Sequence, residues 1–592
     1  MTKIVFELYL SLYTNFAHVL HKLETRSTNG LNQQQRKATM AFNPCTTGAV
    51  CFTLIVSSAS IEAKNHANPP GYEEFIHLFS DWRKFENPSL LNGAPDYTAK
   101  RFAKDHQIFQ ELETRLNKIE IGDWPIPFQV DWYITRAEMN GYDFNYRILK
   151  PWVRDPAFYQ TVWMHQSDVP AHEGPTNHAT LEFWSYRFPL SIDEENRLSK
   201  DLKVISPLLN QARGNLTGNA RDLWIASIEN FKEQTKNLDR ITEKTMPFNH
   251  QSELAAAIKD AQIATADFTS WLEKQALDKT GPSGIGKKNY TWYQQNVHLL
   301  PLTWEKEVQL LQRELDRAWS SLKLEEHRNR DLPPMKAANT PEEFAQLTEN
   351  GVKRFMNFLK EKQIMPIKPN MEPALREHMG EFVPNDKRNF FLIGMHYDPV
   401  PLYCHFIHWF DLAQMRDEPH ESPVRSGPLL YNIFDSKNEG IATGVEEMFM
   451  HAGLYEDSPR SREIVWIMIA QRAARGLGSL YAHANEISMA EASQVHVKWT
   501  PRGWMKREPH LLQFEQHLYL RQPGYGTCYI TGKYLIERLI TEWSQKLEEK
   551  GEKFVMKDFF QIFNNTGNIP VELVRWEMTG NNDGLKILRK ND

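Results

Sequence analysis

Two histidines and an aspartate are spaced by three residues in a segment that is otherwise almost wholly apolar. The segment runs from Pro401 to Met415 (PLYCHFIHWFDLAQM), and its polar members include His405, His408 and Asp411. A helix that is apolar all round is buried, and residues three apart share one face of it. Buried polar side chains need partners. The imidazoles could therefore bind one metal ion, with Asp411 orienting His408, or they could be core histidines bonded to backbone carbonyls.

Two glutamates follow on a second predicted helix, which spans Glu439 to Tyr455 (EGIATGVEEMFMHAGLY). Glu439 and Glu446 are seven residues apart, so they lie within about 20° of each other around that helix. A pair of histidines with a glutamate from another helix is a ligand set that zinc uses in proteins. The pattern predicts His405, His408 and Glu439 as metal ligands and Glu446 as a general base. A solvated acidic helix face is the alternative.

Basic side chains recur along a third predicted helix, from Glu463 to His483 (EIVWIMIAQRAARGLGSLYAH), whose first half is solidly apolar. Arg472, Arg475 and His483 fall on one side of it. Guanidinium groups bind carboxylates through paired hydrogen bonds. The two arginines either pair with the glutamates of the second helix or bind a carboxylate of a substrate.

Two tyrosines follow a tight turn at Pro523 and Gly524, within the segment QFEQHLYLRQPGYGTCYITG. A tyrosine hydroxyl near a metal can stabilise a tetrahedral oxyanion, which makes Tyr529 a candidate catalytic residue and Tyr525 a candidate for substrate binding. Tyrosine is also an ordinary core residue. A further fragment of a zinc motif, at His172 to Pro175 (HEGP), lies among Pro and Gly residues, so a loop is predicted there.

Composition and periodicity predict a large helical protein. Of the 592 residues, 41% are hydrophobic and 24% charged, which are values typical of globular proteins. The 69 Lys and Arg residues nearly balance the 75 Asp and Glu residues, whereas a dedicated nucleic-acid-binding protein usually has a basic excess. Apolar residues recur with the helical period and few stretches alternate. We therefore expect an all-α fold, in one large helical body with a central cleft and few short strands. The clearest helices are predicted at Asp96–Leu116, Arg221–Thr242, Glu253–Leu277, Trp304–Leu324 and Pro341–Lys360.

The chain divides into an N-terminal extension (residues 1–63), an N-terminal helical part (64–280) and a C-terminal helical part (281–592) that carries the candidate site. No apolar run reaches the roughly 18–20 residues that a membrane-spanning helix needs. The run from Gly48 to Ile61 ends in small residues, as the hydrophobic region of a secretory signal does. We expect a mature protein that begins near Lys64 and is secreted or periplasmic. The alternative is that the run is a buried strand or a membrane-proximal anchor, and without a signal we expect a cytoplasmic protein.

The C-terminal half resembles the domain of unknown function 885 family, large helical proteins regarded as zinc-peptidase-like. Members carry H-E-x-x-P-G-H-H, then E-G-W-A-L-Y-A-E, then an R-x-x-R helix that ends in His, then P-G-Q-A-x-S-Y. The second block is matched by EGIATGVE at both glutamates and at Gly440. The third and fourth blocks are matched by Arg472, Arg475, His483, Pro523-Gly524 and Tyr529-x-x-Gly532. The first block is absent, and YCHFIHWFD stands in its place.

The resemblance implies a metal-dependent hydrolase of peptide or amide bonds that acts on a peptide or a small carboxylate-bearing substrate. Zn²⁺ would be the cofactor, activating water and polarising the carbonyl. In this interpretation Glu446 is the base, His483 and Tyr529 stabilise the oxyanion, and Arg472 or Arg475 holds a substrate carboxylate. Two alternatives remain: a non-catalytic helical binding protein descended from such an enzyme, and a metal-free enzyme with a His–Glu acid–base pair.

Overall fold

The computed structural model describes residues 68–245, 253–506 and 511–589. The Gly48–Ile61 run and the expected start near Lys64 lie outside these ranges. Within them, every helix is too short or too polar to cross a membrane.

The fold is all-α, as predicted: helices account for 68% of the structure, about twice the share in an average globular protein. The elements of the N-terminal part are α1 (Tyr72–Glu86), β1 (Leu90–Leu91), β2 (Ala94–Pro95), α2 (Ala99–Asn117), α3 (Ile126–Phe144, continued by a π-helical turn at Asn145–Leu149), α4 (Pro151–Arg154), β3 (Val162–Trp163), β4 (Leu181–Glu182), α5 (Ile192–Lys203), α6 (Ile205–Asn215), α7 (Arg221–Thr245) and α8 (Glu253–Ala276).

The helices of the C-terminal part follow without an intervening strand in the described ranges. They are α9 (Lys287–Asn296), α10 (Trp304–Arg328), α11 (Pro341–Glu361), α12 (Met371–Arg376), α13 (Phe390–Tyr397), α14 (Val400–His405), α15 (Ile407–Asp417), α16 (Asp435–His451), α17 (Ser461–His483), α18 (Met489–Trp499), α19 (Leu511–Arg521), α20 (Tyr525–Glu549), α21 (Met556–Asn565), α22 (Val571–Thr579) and α23 (Asp583–Arg589). Short 3₁₀ turns occur at Pro156–Tyr159, Phe183–Ser185, Asn385–Lys387, Leu430–Asn432 and Pro501–Gly503.

The five helices predicted from periodicity are all present, and threonine caps fix the start of three of them. Thr98, Thr303 and Thr340 each accept a hydrogen bond from the backbone N–H three residues further on, at the starts of α2, α10 and α11. Such caps satisfy an N–H that has no partner inside the helix. The strands are two residues long and form two separate pairs, β1 with β2 antiparallel and β3 with β4 parallel.

The two largest hydrophobic cores in the described ranges divide the chain unevenly. The smaller one draws on residues 94–276, so it ends close to the boundary predicted near residue 280. The larger one combines residues 72–169 with residues 285–585. For example, Tyr133 of α3 packs edge-on against Trp576 of α22, with ring centroids 5.7 Å apart. Helices from both sides of the boundary therefore share one core.

A buried polar cluster around Asp131 joins these distant segments. Its carboxylate accepts hydrogen bonds from the hydroxyl of Tyr72 at 2.6 Å, from Ser422 at 2.7 Å and from the Arg425 guanidinium at 2.6 Å. Arg425 also pairs with Glu577 of α22 at 2.6 Å. The cluster connects α1 and α3 to the loop before α16 and to α22, so it fixes the N-terminal helices against the C-terminal part.

Candidate metal centre

Helices α16 and α20 cross closely, and the crossing positions Glu439. A Cβ placed on Gly440 would lie 2.7 Å from Cα of Gly532, and one on Gly532 would overlap the carbonyl oxygen of Ser436. Only glycine lets two backbones approach so closely. As a result Glu439, next to Gly440, faces the first two turns of α20, which carry Tyr525 and Tyr529.

The histidine segment forms two helices, so the prediction of one continuous helix from Pro401 to Met415 is wrong. His405 is the last residue of α14, and His408 is the second residue of α15. Between them the N–H of Phe406 is shared by the carbonyls of Leu402 and Tyr403, a tightened turn of the kind that often ends a helix. The two imidazoles still converge, with ring centroids 4.9 Å apart and planes at 84°.

The three predicted ligands meet at one point inside the protein. Nε2 of His408 lies 3.1 Å from Oε2 of Glu439, and Nε2 of His405 lies 3.5 Å from the same oxygen. One ligand atom from each residue lies within 4.8 Å of the others, and all three residues are buried. Ligands 2.0–2.2 Å from a tetrahedral zinc ion stand roughly 3.4 Å apart. The donor types and their separations therefore fit a His–His–Glu zinc site.

The other oxygen of Glu439 is held by the two predicted tyrosines. The hydroxyl of Tyr525 donates to Oε1 at 2.6 Å, and that of Tyr529 donates at 2.9 Å. Burial alone would raise the pKa of Glu439, but His408 and His405 hold it well below its usual value. Burial would lower the pKa of His408, and the charge of Glu439 outweighs it, raising that pKa to about 9.

Glu446 and Arg472 hold the outer nitrogen of His405. The Arg472 guanidinium donates to both oxygens of Glu446 at 2.7 Å, and Nδ1 of His405 lies 3.2 Å from Glu446. Nδ1 also lies 3.1 Å from the Arg472 guanidinium, which can only donate. In the tautomer protonated at Nδ1, this atom donates to Glu446 and Nε2 presents its lone pair toward Glu439. Carboxylates commonly orient metal-binding histidines in this way.

His408 has no such support. Its Nδ1 has no hydrogen-bond partner in the described part of the chain. Asp411, predicted to orient it, lies on the next turn of α15 and forms no hydrogen bond to it there.

Arg475, the second predicted substrate-binding arginine, is paired inside the protein as well. It donates to Glu515 of α19 at 2.5 Å, and its guanidinium stacks 3.9 Å from the ring centroid of Tyr529. Because Glu515 and the tyrosines surround it, its pKa stays well above its usual value despite burial. Neither Arg472 nor Arg475 is therefore free of protein carboxylates.

His483 is the predicted site residue that the structure does not bring to the ligands. Its Nε2 lies 2.8 Å from the carbonyl of Tyr519, and its ring packs against Tyr290. It lies eight residues beyond Arg475 on α17, which is roughly 12 Å along the helix. Burial lowers its pKa to about 4, so it is a neutral core histidine.

One carboxylate at the site comes from the loop between β3 and β4. Oε1 of Glu173 lies 3.3 Å from the hydroxyl of Tyr525. Burial and the charges of Asp168 and Glu439 raise its pKa to about 8. The HEGP motif marks this residue in the sequence, and the loop prediction for it is confirmed. Nothing in the sequence placed that loop against α20.

The remaining exposure of the site lies on one side. His405 is 8% exposed and Tyr529 is 6% exposed, whereas Glu439 and His408 are each 1% exposed. The rings of His405 and Tyr529 stack with centroids 6.1 Å apart. Among these four residues, the little exposure that remains is therefore on this ring pair.

Comparison with known proteins defines the class by fold. No protein-family model and no curated protein matches the chain. Two solved structures of putative lipoproteins share the architecture. One, of unknown function, comes from Shewanella oneidensis, with 14% identity over 86% of this chain and 97% of that one and a TM-score of 0.62. The other comes from Colwellia psychrerythraea, with 12% identity over 88% and 98% and a TM-score of 0.59. At these identities the likeness establishes a shared all-α fold.

Proposed function

We propose that the chain is a zinc-dependent hydrolase of peptide or amide bonds, with His405, His408 and Glu439 as the ligands. The observation that carries this proposal is the convergence of three ligand atoms from three separate helices within 4.8 Å. Leaving a buried polar group without a partner costs about 1–3 kcal/mol. A shared cation would bind Nε2 of each imidazole and Oε2 of Glu439 together.

The surrounding residues take defined roles in this proposal. A bound zinc ion would supply Lewis-acid polarisation of the scissile carbonyl. Glu446, paired with Arg472, orients His405, and Tyr525 orients Glu439. The hydroxyl of Tyr529 donates to Glu439 in the structure, and in the reaction it would turn to the oxyanion of the acyl-transfer step. The partner would be a peptide or a small carboxylate-bearing molecule.

One observation favours the alternative, a non-catalytic helical binding protein. Glu446, the predicted base, has both oxygens occupied by the Arg472 guanidinium, so neither is free to accept a proton from a water at the site. If no other group acts as the base, the protein would bind a metal ion but would not hydrolyse a substrate.

Metal analysis tests the proposal directly. Protein purified without chelator should contain about one equivalent of zinc per chain by elemental mass spectrometry, and His408→Ala should contain none. His451→Ala is the matched control. His451 is the last residue of α16, and its side chain is 64% exposed. Wild-type protein that neither contains zinc nor takes it up in equilibrium dialysis contradicts the proposal.

We also propose that the protein belongs to the cell envelope. Two features support this: both structures with a similar fold are described as putative lipoproteins, and the Gly48–Ile61 run is typical of a signal segment. Cell fractionation of the native host with N-terminal sequencing tests it. An intact Met1 in the cytoplasmic fraction contradicts it.

A further inference from the structure

Glu173 reaches the site from a part of the chain far from the predicted motifs. Its Oε1 is 3.3 Å from the hydroxyl of Tyr525, which in turn is 2.6 Å from Oε1 of Glu439. One phenol hydroxyl therefore separates the Glu173 carboxylate from a ligand carboxylate. We propose that Glu173 is the general base of this site, an inference that rests on the proposed hydrolase function.

The loop that carries Glu173 is fastened to the turn before α20. The N–H of Gly174 donates to the side chain of Gln522 at 2.8 Å, and Asn432 donates to the carbonyl of His172 at 3.3 Å. Gln522 also donates to Asp435, one turn before Glu439 on α16, at 2.5 Å. A base must be held in position to act, and these hydrogen bonds supply that positioning.

The conformation of the next residue adds to this attachment. Gly174 has a φ of +74°, and a Cβ there would approach the Arg521 guanidinium at 3.1 Å. Arg521 itself donates to the carbonyl of Pro175 at 2.8 Å. The loop thus follows the surface of α19 closely on both sides of Gly174.

Three other carboxylates near the ligands have partners of their own. Glu446 is held by Arg472, Glu515 by Arg475, and Oδ2 of Asp435 by Gln522. Glu173 forms no ion pair within the described ranges, and it is half-buried on the approach to Tyr525. A carboxylate without a cationic partner accepts a proton more readily than one in an ion pair.

The proposed step balances in protons and bonds. Glu173 accepts a proton from the attacking water as the water oxygen bonds to the carbonyl carbon. It then gives that proton to the amide nitrogen as the C–N bond breaks, which releases an acid and an amine and restores the carboxylate.

The test compares Glu173→Gln with wild-type protein and with Glu229→Gln, a control at an exposed position of α7. Circular dichroism shows whether each variant folds, and elemental analysis shows whether it binds zinc. Turnover is measured with a set of internally quenched fluorogenic peptides, and binding of acetohydroxamate to the zinc-loaded protein is measured by calorimetry. Acetohydroxamic acid chelates zinc through its two oxygens, and the O–H proton that it loses passes to a nearby base.

We expect Glu173→Gln to keep its zinc and the KM of the wild type. Its kcat should fall roughly 10²–10⁴-fold, which is the usual contribution of acid–base catalysis. It should bind acetohydroxamate at least tenfold more weakly. If kcat is unchanged, the assignment of Glu173 as the base is wrong, although the proposed hydrolase function can stand. If no peptide is cleaved, an unchanged affinity for acetohydroxamate has the same meaning. Loss of zinc in this variant also overturns the assignment, because the role would then be structural. Wild-type protein that binds no zinc overturns the proposed function itself.

Discussion

Gly440 and Gly532 contact each other through their backbones, where α16 and α20 cross. A Cβ on Gly440 would stand 2.7 Å from Cα of Gly532. The ligand Glu439 precedes this contact on one helix, and Tyr529 lies one turn before it on the other. The distance between the two helices therefore determines the length of the hydrogen bond between Tyr529 and Glu439.

We expect Gly532→Ala to destabilise the protein by about 1–3 kcal/mol, the usual cost of overpacking a core. The added methyl group would meet the carbonyl of Ser436 and push the helices apart, so zinc affinity should fall as well. Urea denaturation and zinc titration measure the two effects. Gly214→Ala is the control, because Gly214 lies in α6 with open space around it. Equal stability of the two variants would show that the crossing can adjust.

Replacing Glu446 with glutamine should lower zinc affinity by roughly 10–100-fold, the usual effect of removing the group that orients a metal-bound histidine. The amide keeps the shape of the side chain but accepts less strongly from Nδ1 of His405. Competition with a chromogenic chelator measures the change, and Glu361→Gln, at the exposed end of α11, is the control. If Glu446 is the base instead, zinc affinity will be unchanged while turnover is lost.

Arg425→Ala should cost about 3–5 kcal/mol of unfolding free energy, because it leaves Asp131 buried without its cation. The double variant Arg425→Met with Asp131→Asn should cost less, since the buried charge of Asp131 is removed and only the Glu577 carboxylate loses its partner. Thermal and urea unfolding compare them. If Arg425→Ala is as stable as the double variant, water must reach the Asp131 carboxylate.

Acid should destabilise the protein through His396, which is buried and neutral. Its Nδ1–H donates to the carbonyl of Leu392 at 2.8 Å, and its Nε2 accepts from the N–H of Val383 at 3.1 Å. Burial is the main cause that lowers its pKa to about 4, against about 6.5 in the unfolded chain. Between these values only the unfolded chain binds the proton, so stability falls as the pH falls through this window.

Through this one residue, the free energy of unfolding should fall by about 2 kcal/mol between pH 7 and pH 5. His396→Gln keeps an acceptor for Val383 but does not titrate, so its unfolding free energy should depend less on pH by that amount. Urea denaturation at both pH values gives the difference, with His327→Gln, at an exposed histidine of α10, as the control. An unaltered pH dependence in His396→Gln would contradict the assignment.

Periodicity was enough to locate the long helices and to select the three residues that converge at the candidate site, because both depend on residue type and local spacing. The interruption at Phe406 was not predictable, because it depends on how one N–H is shared between two carbonyls. The pairing of Arg475 with Glu515 joins segments 40 residues apart, and that of Glu173 with Tyr525 joins segments 352 apart. Both pairings depend on tertiary packing, which leaves no periodic signal in the sequence.

The packing of Tyr133 against Trp576 has a consequence for synthesis. The ribosome makes α22 more than four hundred residues after α3, so a growing chain carries the apolar face of α3 without its cover for most of translation. Domains that complete early can fold as they emerge, but this face is buried only near the end. The nascent chain should therefore depend on chaperones that shield apolar surface, and fragments that stop before α22 should aggregate.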